Sequence, residues 1–378
     1  MKIKNFKYEN KNLELKINPI RFSNLSLLVG VSGVGKTMIL EAILDLKKIS
    51  QGKSSGGVEW EIQFAIGKEE KNYLWRGAFE RTEASGAESG SYDDGGKTEM
   101  ITTRPKIIYE ELYLENELIV ERSQNNIKLK GQSAPKLSSY TSVLNLFNEE
   151  EIISSVYEHF NKIISDDYDI TEFPIYESFD KLAKQYTAME SLQNADFPIY
   201  LKLAIAYKNK MEVFNTVKEN FINVFRQVED IKLEASGEGD LLADSSRFQI
   251  KEKNVSKWIP HNKISSGMFK TLMQISQLFL CAESTVILID EFENSLGINC
   301  IDILTENLVY DNRELQFILT SHHPYIINAI GMEYWKIVSR NGGVISTKNA
   351  EEYKLGQSRH EAFKQLIQLN DYRNGIKA

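Results

Sequence analysis

A glycine-rich octapeptide near the start of the chain has the residue types needed to hold a triphosphate. It consists of Gly30, Val31, Ser32, Gly33, Val34, Gly35, Lys36 and Thr37. The spacing is GxxxxGK[ST], in which the glycines let backbone N–H groups wrap around phosphate oxygens while the lysine reaches the β- and γ-oxygens. The threonine hydroxyl of this pattern is a ligand of Mg²⁺. The octapeptide therefore predicts a binding loop for ATP with Mg²⁺.

Two acids follow an apolar run much later in the chain. Val286 to Ile289 are β-branched or aliphatic, and Asp290 and Glu291 come directly after them. Such a run predicts a central parallel strand that is buried on both faces. Ligands bind at the carboxyl ends of strands in open α/β sheets, so Asp290 can hold Mg²⁺ while Glu291 orients the attacking water. Many strands end in an acid at a turn, and the pair predicts hydrolysis only together with the glycine-rich loop.

Two further polar segments can contact phosphate. Ser265, Ser266 and Gly267 open a predicted helix whose apolar face runs to Leu280. They form either an anion site or a plain N-cap, and the segment alone favours the N-cap. His322 follows a predicted apolar strand and can reach a γ-phosphate. A lone histidine is commonly structural, and this one gains weight because its strand is a plausible neighbour of the Asp290 strand.

Hydrophobic periodicity predicts the elements that position these residues. An apolar run from Leu25 to Val29 predicts a strand before the glycine-rich loop, and the spacing of apolar residues from Met38 to Leu46 predicts a helix after it. Residues 82–102 are rich in small and acidic residues and predict a hairpin loop. An antiparallel β-subdomain is predicted from the runs Val58–Ile66, Tyr73–Phe79, Pro105–Tyr109, Glu117–Arg122 and Asn126–Lys130.

The predicted fold class is α/β, and the motif positions divide the chain into three parts. Residues 1–143 form a first lobe with the glycine-rich loop and the β-subdomain, and residues 144–250 form a helical insertion. Residues 251–378 form a second lobe with the serine pair, the two acids and the histidine. The insertion has no sustained heptad pattern, so it predicts no long coiled coil.

Taken in order, four segments resemble the motifs of ABC-type ATPases. GVSGVGKT is similar to the P-loop, ISSGM to the signature, VILIDEFENSLG to Walker B with the D-loop, and ILTSHHP to the switch histidine. The chain resembles in particular the RecF/SMC/OLD-like AAA-family ATP-binding proteins of bacterial anti-phage and genome-maintenance operons. It departs from them at Ser32, where Asn is common, and at Ile264, where Leu is common. This resemblance implies a P-loop NTPase of the ABC-ATPase head type.

The resemblance also implies how the site residues act. Two heads would form a homodimer that sandwiches two ATP molecules. Ser265, Ser266 and Gly267 of one subunit would meet the γ-phosphate held on Lys36 of the other, and His322 would contact the same phosphate. Asn294, Ser295 and Leu296 would form the D-loop across the dimer interface. No residue can be assigned to the Q-loop.

Composition narrows the class of protein further. No stretch approaches the roughly 20 apolar residues that span a bilayer, and we expect a cytoplasmic protein without a membrane partner. The net charge of −8 argues against coating of nucleic acid through overall charge, although a local basic groove stays open. The two cysteines, Cys281 and Cys300, fit no metal-binding spacing and predict buried thiols.

The leading functional hypothesis is an ATPase whose ATP-dependent dimerisation regulates a separate effector in anti-phage defence. The chain ends at Ala378, soon after the histidine, without room for the Toprim nuclease domain of OLD-like proteins, so we expect any nuclease to be a second chain. One alternative is a RecF-like DNA-repair ATPase that uses basic residues near Lys128, Lys130, Lys136 and Arg226. The other is an ATP-gated scaffold with negligible turnover.

Overall fold

The computed structural model describes residues 1–81, 104–124, 126–135, 137–166, 179–234, 247–293, 305, 313–356, 358–369, 372–373 and 375. It divides into two compact units. The first comprises Met1–Ile164, Val286–Asp290 and Leu315–Ala378, and the second comprises Ser165–Thr285 and Glu291–Glu314. The predicted hairpin loop at 82–102, the predicted D-loop at 294–296 and Cys300 lie outside the described residues. The three-part division of the chain stays a prediction.

Most of the strands belong to one sheet of the first unit. In chain order, the strands of the described residues are β1 (Lys2–Asn10), β2 (Leu15–Arg21), β3 (Leu25–Val29), β4 (Val58–Ile66), β5 (Lys71–Phe79), β6 (Ile107–Leu114), β7 (Glu117–Ser123), β8 (Ile127–Leu129), β9 (Gln132–Ser133), β10 (Ile163–Ser165), β11 (Val228–Glu234), β12 (Arg247–Glu252), β13 (Ile259–Pro260), β14 (Val286–Ile289), β15 (Gln316–Ser321), β16 (Trp335–Asn341) and β17 (Val344–Asn349). Within the described ranges, the large sheet has the order β10-β14-β15-β3-β16-β17-β2-β1-β4-β5-β6-β7-β8-β9.

The helices are divided between the two units. Within the described residues they are α1 (Lys36–Ser50), α2 (Val143–Leu146), α3 (Glu151–Asn161), α4 (Phe179–Gln185), α5 (Met189–Asn194), α6 (Ile199–Lys208), α7 (Glu212–Val224), α8 (Ser266–Leu280), α9 (Pro324–Ala329) and α10 (Arg359–Leu366). The helices α1, α2, α3, α9 and α10 lie in the first unit, and α4 to α8 lie in the second.

The large sheet combines a parallel part with an antiparallel part. β14, β15, β3 and β16 pair in parallel, whereas β1 pairs antiparallel with β2 and β4, and the pairing from β4 to β9 is antiparallel throughout. Every residue of β3 and of β14 is buried, as expected for central parallel strands covered on both faces. The predicted α/β class and the predicted antiparallel subdomain are confirmed.

The core of the first unit forms because alternating strand residues and one face of α1 are apolar. Ile39, Ile43 and Leu46 of α1 are fully buried at helical spacing. Trp75 packs edge-on against Trp60 and Phe160, with ring centroids 5.1 Å and 5.0 Å away. The buried residues of α1 and these aromatic side chains belong to one close-packed core.

The second unit joins helices to a small sheet. The described strands β11, β12 and β13 form an antiparallel sheet in that order. Helix α7 buries Phe214, Val217, Phe221 and Val224, which recur at the spacing of one helical face. The helical pattern predicted for this part of the chain therefore appears as α4 to α7, and α8 follows the small sheet.

Candidate functional site

The glycine-rich loop joins β3 to α1, and its backbone shape depends on glycine. Gly33 and Gly35 have φ values of 84° and 94°, in the left-handed region that favours glycine. A Cβ on Gly30 would lie 2.8 Å from the carbonyl oxygen of Val338, and one on Gly35 would overlap the side chain of Ile345. Strands β16 and β17 therefore hold both ends of the loop, and any residue larger than glycine would displace it.

The start of α1 has the features of an anion-binding site. Lys36 is its first residue, and its N-cap, Gly35, offers no side-chain oxygen to the N–H groups of the first turn. Such N–H groups and the helix dipole favour a phosphate. The Lys36 ammonium is largely buried and donates to the carbonyl oxygens of Gly30 and Val31, at 2.9 Å and 3.0 Å. The cation thus lies within the curve of the loop, beside the N–H groups.

Asp290 lies next to this helix because of the strand order. It directly follows β14, at the same sheet edge as the end of β3. The Thr37 hydroxyl donates to its Oδ2 at 2.8 Å, and the Thr320 hydroxyl donates to its Oδ1 at 2.6 Å. Each carboxylate oxygen is therefore oriented by one threonine. The predicted pair of metal ligands, Thr37 and Asp290, is brought together from positions 253 residues apart.

The donor set at this position suits Mg²⁺. A carboxylate and a hydroxyl are hard oxygen ligands, and Mg²⁺ is commonly held by one or two carboxylates together with substrate phosphates. Among the described residues, no group of three or more His, Cys, Asp or Glu side chains forms a metal site of its own. Thr37 and Asp290 therefore fit a metal that is completed by the phosphates of a bound nucleotide.

Thr320 is a site residue that the sequence did not reveal. It is fully buried at the end of β15, and Leu319 pairs with Ile289 in the parallel register, so Thr320 lies beside Asp290. The sequence signal for Thr320 was that two apolar strands, β14 and β15, each end in polar residues. The register between them, which the sequence alone does not supply, was needed to pair the two residues.

His322 and its neighbour His323 follow β15. The His322 side chain is exposed at the sheet edge where β3 and β14 also end. His323 is the N-cap of α9, and its Nδ1 accepts from the backbone N–H of Tyr325 at 3.2 Å. The structural role belongs to His323, and contact of His322 with a γ-phosphate stays a prediction.

The remaining predicted site residues belong to the second unit. Ser265 is the N-cap of α8, and its hydroxyl accepts from the N–H of Met268 at 3.2 Å, so the N-cap interpretation holds. Ser266 and Gly267 form the first turn of α8. Glu291 is exposed, with a φ of 44° that is uncommon for a residue with a side chain. Their catalytic and signature roles stay predictions.

Residues 25–328 match a protein family described as "AAA domain, putative AbiEii toxin, Type IV TA system". The match includes the P-loop, the serine pair, the two acids and both histidines. The chain belongs to this family. As a member of this AAA family, it carries the P-loop ATPase fold, in agreement with the α/β class and with the position of the loop between β3 and α1. No curated protein sequence matches the chain.

Solved structures with a related shape are heads of SMC proteins. One is an SMC head bound to the C-winged helix domain of ScpA, with 15% identity, a TM-score of 0.49, and coverage of 94% of this chain and 99% of that chain. Another is the SMC head domain from Thermotoga maritima, with 14% identity, a TM-score of 0.43, and coverage of 92% and 99%. A third, an Smc head with an extended coiled coil bound to the C-terminal domain of ScpA derived from Pyrococcus furiosus, has 14% identity, a TM-score of 0.45, and coverage of 93% and 98%.

The described surface gives two further facts. Helices long and apolar enough to cross a membrane are absent from the described part of the chain. Of the basic residues considered for DNA contact, Lys128 forms an ion pair with Glu121 at 3.3 Å, and Lys136 lies outside the described residues. Nucleic-acid binding therefore stays a prediction.

Proposed function

We propose that this AAA-family protein binds ATP with Mg²⁺ at the P-loop and hydrolyses it. The observation that carries the proposal is the hydrogen-bonded group of Thr37, Asp290 and Thr320 at the N-terminus of α1. A carboxylate oriented by two hydroxyls, one of which belongs to the P-loop itself, has the chemistry of a metal–nucleotide site. A structural role alone would not need both hydroxyls to orient one carboxylate at the edge of the sheet.

Each residue has a distinct task in this proposal. The N–H groups of the first turn of α1 and the Lys36 ammonium hold the β- and γ-phosphates, as expected at a helix N-terminus. Thr37 and Asp290 hold Mg²⁺, which when bound offsets the negative charge that builds up between the phosphates. Glu291 accepts a proton from the attacking water and orients it. His322 donates to the γ-phosphate and stabilises its developing charge.

We further propose that ATP closes a homodimer in which Ser265, Ser266 and Gly267 of one subunit meet the nucleotide of the other. The closed dimer would then control a separate effector protein, which we propose to be a nuclease, in defence against phage. The family description, which names a putative toxin of a type IV TA system, supports action within a system of more than one protein. ATP binding would close the dimer, and hydrolysis would open it.

The deciding experiment compares wild type with Glu291→Gln. The amide keeps the size of the side chain but cannot accept the proton, so we expect ATP binding to persist while turnover stops and a stable ATP-bound dimer accumulates. Nucleotide binding, phosphate release and mass by light scattering measure these three properties. Glu14→Gln is a matched control, because Glu14 is another exposed glutamate with a left-handed φ, here 50°.

The outcomes separate the parts of the proposal. Normal turnover in Glu291→Gln would refute the role of Glu291, and a monomer that binds ATP without dimerising would refute the sandwich. Wild type without any ATP binding would refute the whole proposal. For the effector, the chain is expressed with its genomic neighbours and purified as the Glu291→Gln dimer with ATP. Purification of the dimer without a second protein under those conditions would contradict the effector part alone.

A further inference from the structure

A glycine far from the P-loop in sequence packs directly against it. The Gly375 carbonyl oxygen accepts from the backbone N–H of Arg340 in β16 at 2.7 Å. A Cβ built on Gly375 would lie 2.5 Å from Cγ1 of Val34 and 3.0 Å from Cγ2 of Val31. Both valines belong to the P-loop, so the backbone of Gly375 contacts the apolar side of the loop.

These contacts leave no room for a side chain. Real Cβ atoms essentially never approach another heavy atom within 3.0 Å, and a valine has a stiff, branched side chain that cannot turn its methyl groups away at little cost. Val34 is also buried, with 4% of its surface exposed. A methyl group added at Gly375 must therefore move the P-loop, or the backbone at residue 375, by several tenths of an ångström.

Three of the described glycines, Gly30, Gly35 and Gly375, make close contacts that fix the loop. Gly30 lies against the backbone of Val338, and Gly35 lies against Ile345. Those two contacts hold the ends of the loop, whereas the contact of Gly375 with Val31 and Val34 lies between them in sequence. Gly375 thus supports the part of the loop that curves around the phosphates.

We propose that Gly375 is a positioning residue for nucleotide binding, which holds the middle of the P-loop in its phosphate-binding shape through contact with Val31 and Val34. The inference rests on the proposed function, because it assigns to residue 375 an effect on ATP affinity. Loops that bind phosphate through backbone N–H groups depend on geometry, and misplacement of about 1 Å can reduce a reaction about a hundredfold.

The test is Gly375→Ala, with Gly342→Ala as its matched control. Gly342 also has a left-handed φ, 58° against 64° for Gly375, and its carbonyl accepts from the side-chain Nε of Arg340 at 2.8 Å. A Cβ on Gly342, however, meets no atom within 4 Å. Both variants therefore place an alanine at a similar left-handed φ, and they differ in contact with the P-loop. We expect the Kd for ATP to rise about tenfold or more in Gly375→Ala, and to change less than about twofold in Gly342→Ala.

A rescue variant separates positioning from general destabilisation. Val34→Ala removes the methyl group nearest the added Cβ and leaves Cγ2 of Val31 at 3.0 Å, so Gly375→Ala should raise the Kd for ATP less in the Val34→Ala background than in wild type. The unfolding temperature without nucleotide checks that the variants fold. If Gly375→Ala does not fold, Gly375→Asn introduces the same Cβ with a residue that accepts a left-handed φ more readily, and the same increase in Kd is expected.

The results distinguish this inference from the proposed function. An ATP affinity of Gly375→Ala equal to that of Gly342→Ala, while wild type binds ATP, overturns the inference and leaves the proposed function intact. An increase in Kd that is as large in the Val34→Ala background as in wild type also overturns it, since the contact with Val34 would then not be the cause. Wild type that fails to bind ATP overturns both.

Discussion

Removing the Thr320 hydroxyl tests whether the group around Asp290 orients a metal ligand. Thr320→Val keeps the shape of the side chain but removes the 2.6 Å hydrogen bond to Oδ1 of Asp290. A hydrogen bond to a charged group contributes about 1.5–3 kcal/mol, which corresponds to about a tenfold to hundredfold change in an equilibrium constant. Hydrogen bonds to metal ligands typically change metal affinity or activity by a similar factor of about 10–100.

The assay is phosphate release at saturating ATP as a function of Mg²⁺ concentration. We expect the Mg²⁺ concentration for half-maximal turnover to rise about tenfold or more in Thr320→Val, and to stay near the wild-type value in Thr320→Ser, which keeps the hydroxyl. Thr285→Val is a matched control, because Thr285 is also buried and its hydroxyl donates to the carbonyl oxygen of Ala282 at 2.7 Å. The unfolding temperatures of Thr320→Val and Thr285→Val should be close to each other.

Two outcomes would refute this reasoning. Equal Mg²⁺ dependence in Thr320→Val and wild type would mean that Thr37 alone orients Asp290 sufficiently. An effect in Thr320→Ser as large as that in Thr320→Val would assign the loss to packing at the end of β15 instead of the hydroxyl. The role proposed for the hydroxyl agrees only with a raised Mg²⁺ requirement in Thr320→Val and a wild-type Mg²⁺ requirement in Thr320→Ser.

Two predictions concern stability. Glu110 is fully buried, accepts from the Trp75 indole at 3.0 Å and lies 3.7 Å from Arg122, so Glu110→Ala should lower the free energy of unfolding by about 3–5 kcal/mol and Glu110→Gln by less, as denaturant titration would measure. A loss below about 1 kcal/mol in Glu110→Ala would contradict a buried charge network. Burial, then the nearby N-terminal ammonium and Lys162, lowers the pKa of His159 to about 4, although its hydrogen bond with Ser155 acts the other way. The unfolded chain therefore binds the proton first, and stability should fall as the pH drops from about 6.5 to 4; a pH profile of the unfolding temperature as steep in His159→Gln as in wild type would rule this out.

The parts of the fold that follow from local pattern were predicted well. β4 spans the predicted residues Val58–Ile66, and α1 contains the predicted run from Met38 to Leu46. The strand predicted at Pro105–Tyr109 begins at Ile107 and continues to Leu114. Glu110 is a buried acidic residue in the middle of β6 and interrupts its apolar alternation. The alternation therefore predicted an end at Tyr109, whereas the strand continues to Leu114.

The site was predicted in part, for a physical reason that applies to each missing residue. The P-loop and Asp290 could be predicted because each lies within one short segment with a recognisable pattern, and the structure brings Thr37 and Asp290 together. The contacts of Thr320 and Gly375 join separate segments, and they are set by the register of β15 on β14 and by the packing of Gly375 on Val31. Such contacts depend on tertiary structure, and an ordinary threonine or glycine shows no sign of them in sequence.

The strand order also fixes when this protein can fold during its synthesis. The all-apolar strand β3 lies between β15 and β16, and the pair Ser26 and Ile318 joins segments that are made almost 300 residues apart. At about 5–20 residues per second, the ribosome needs about 15–60 s to supply those partners. During that time the strand before the P-loop has neither of its parallel neighbours, and the nucleotide site is incomplete. The P-loop can therefore reach its folded position only after β15 and β16 have been synthesised.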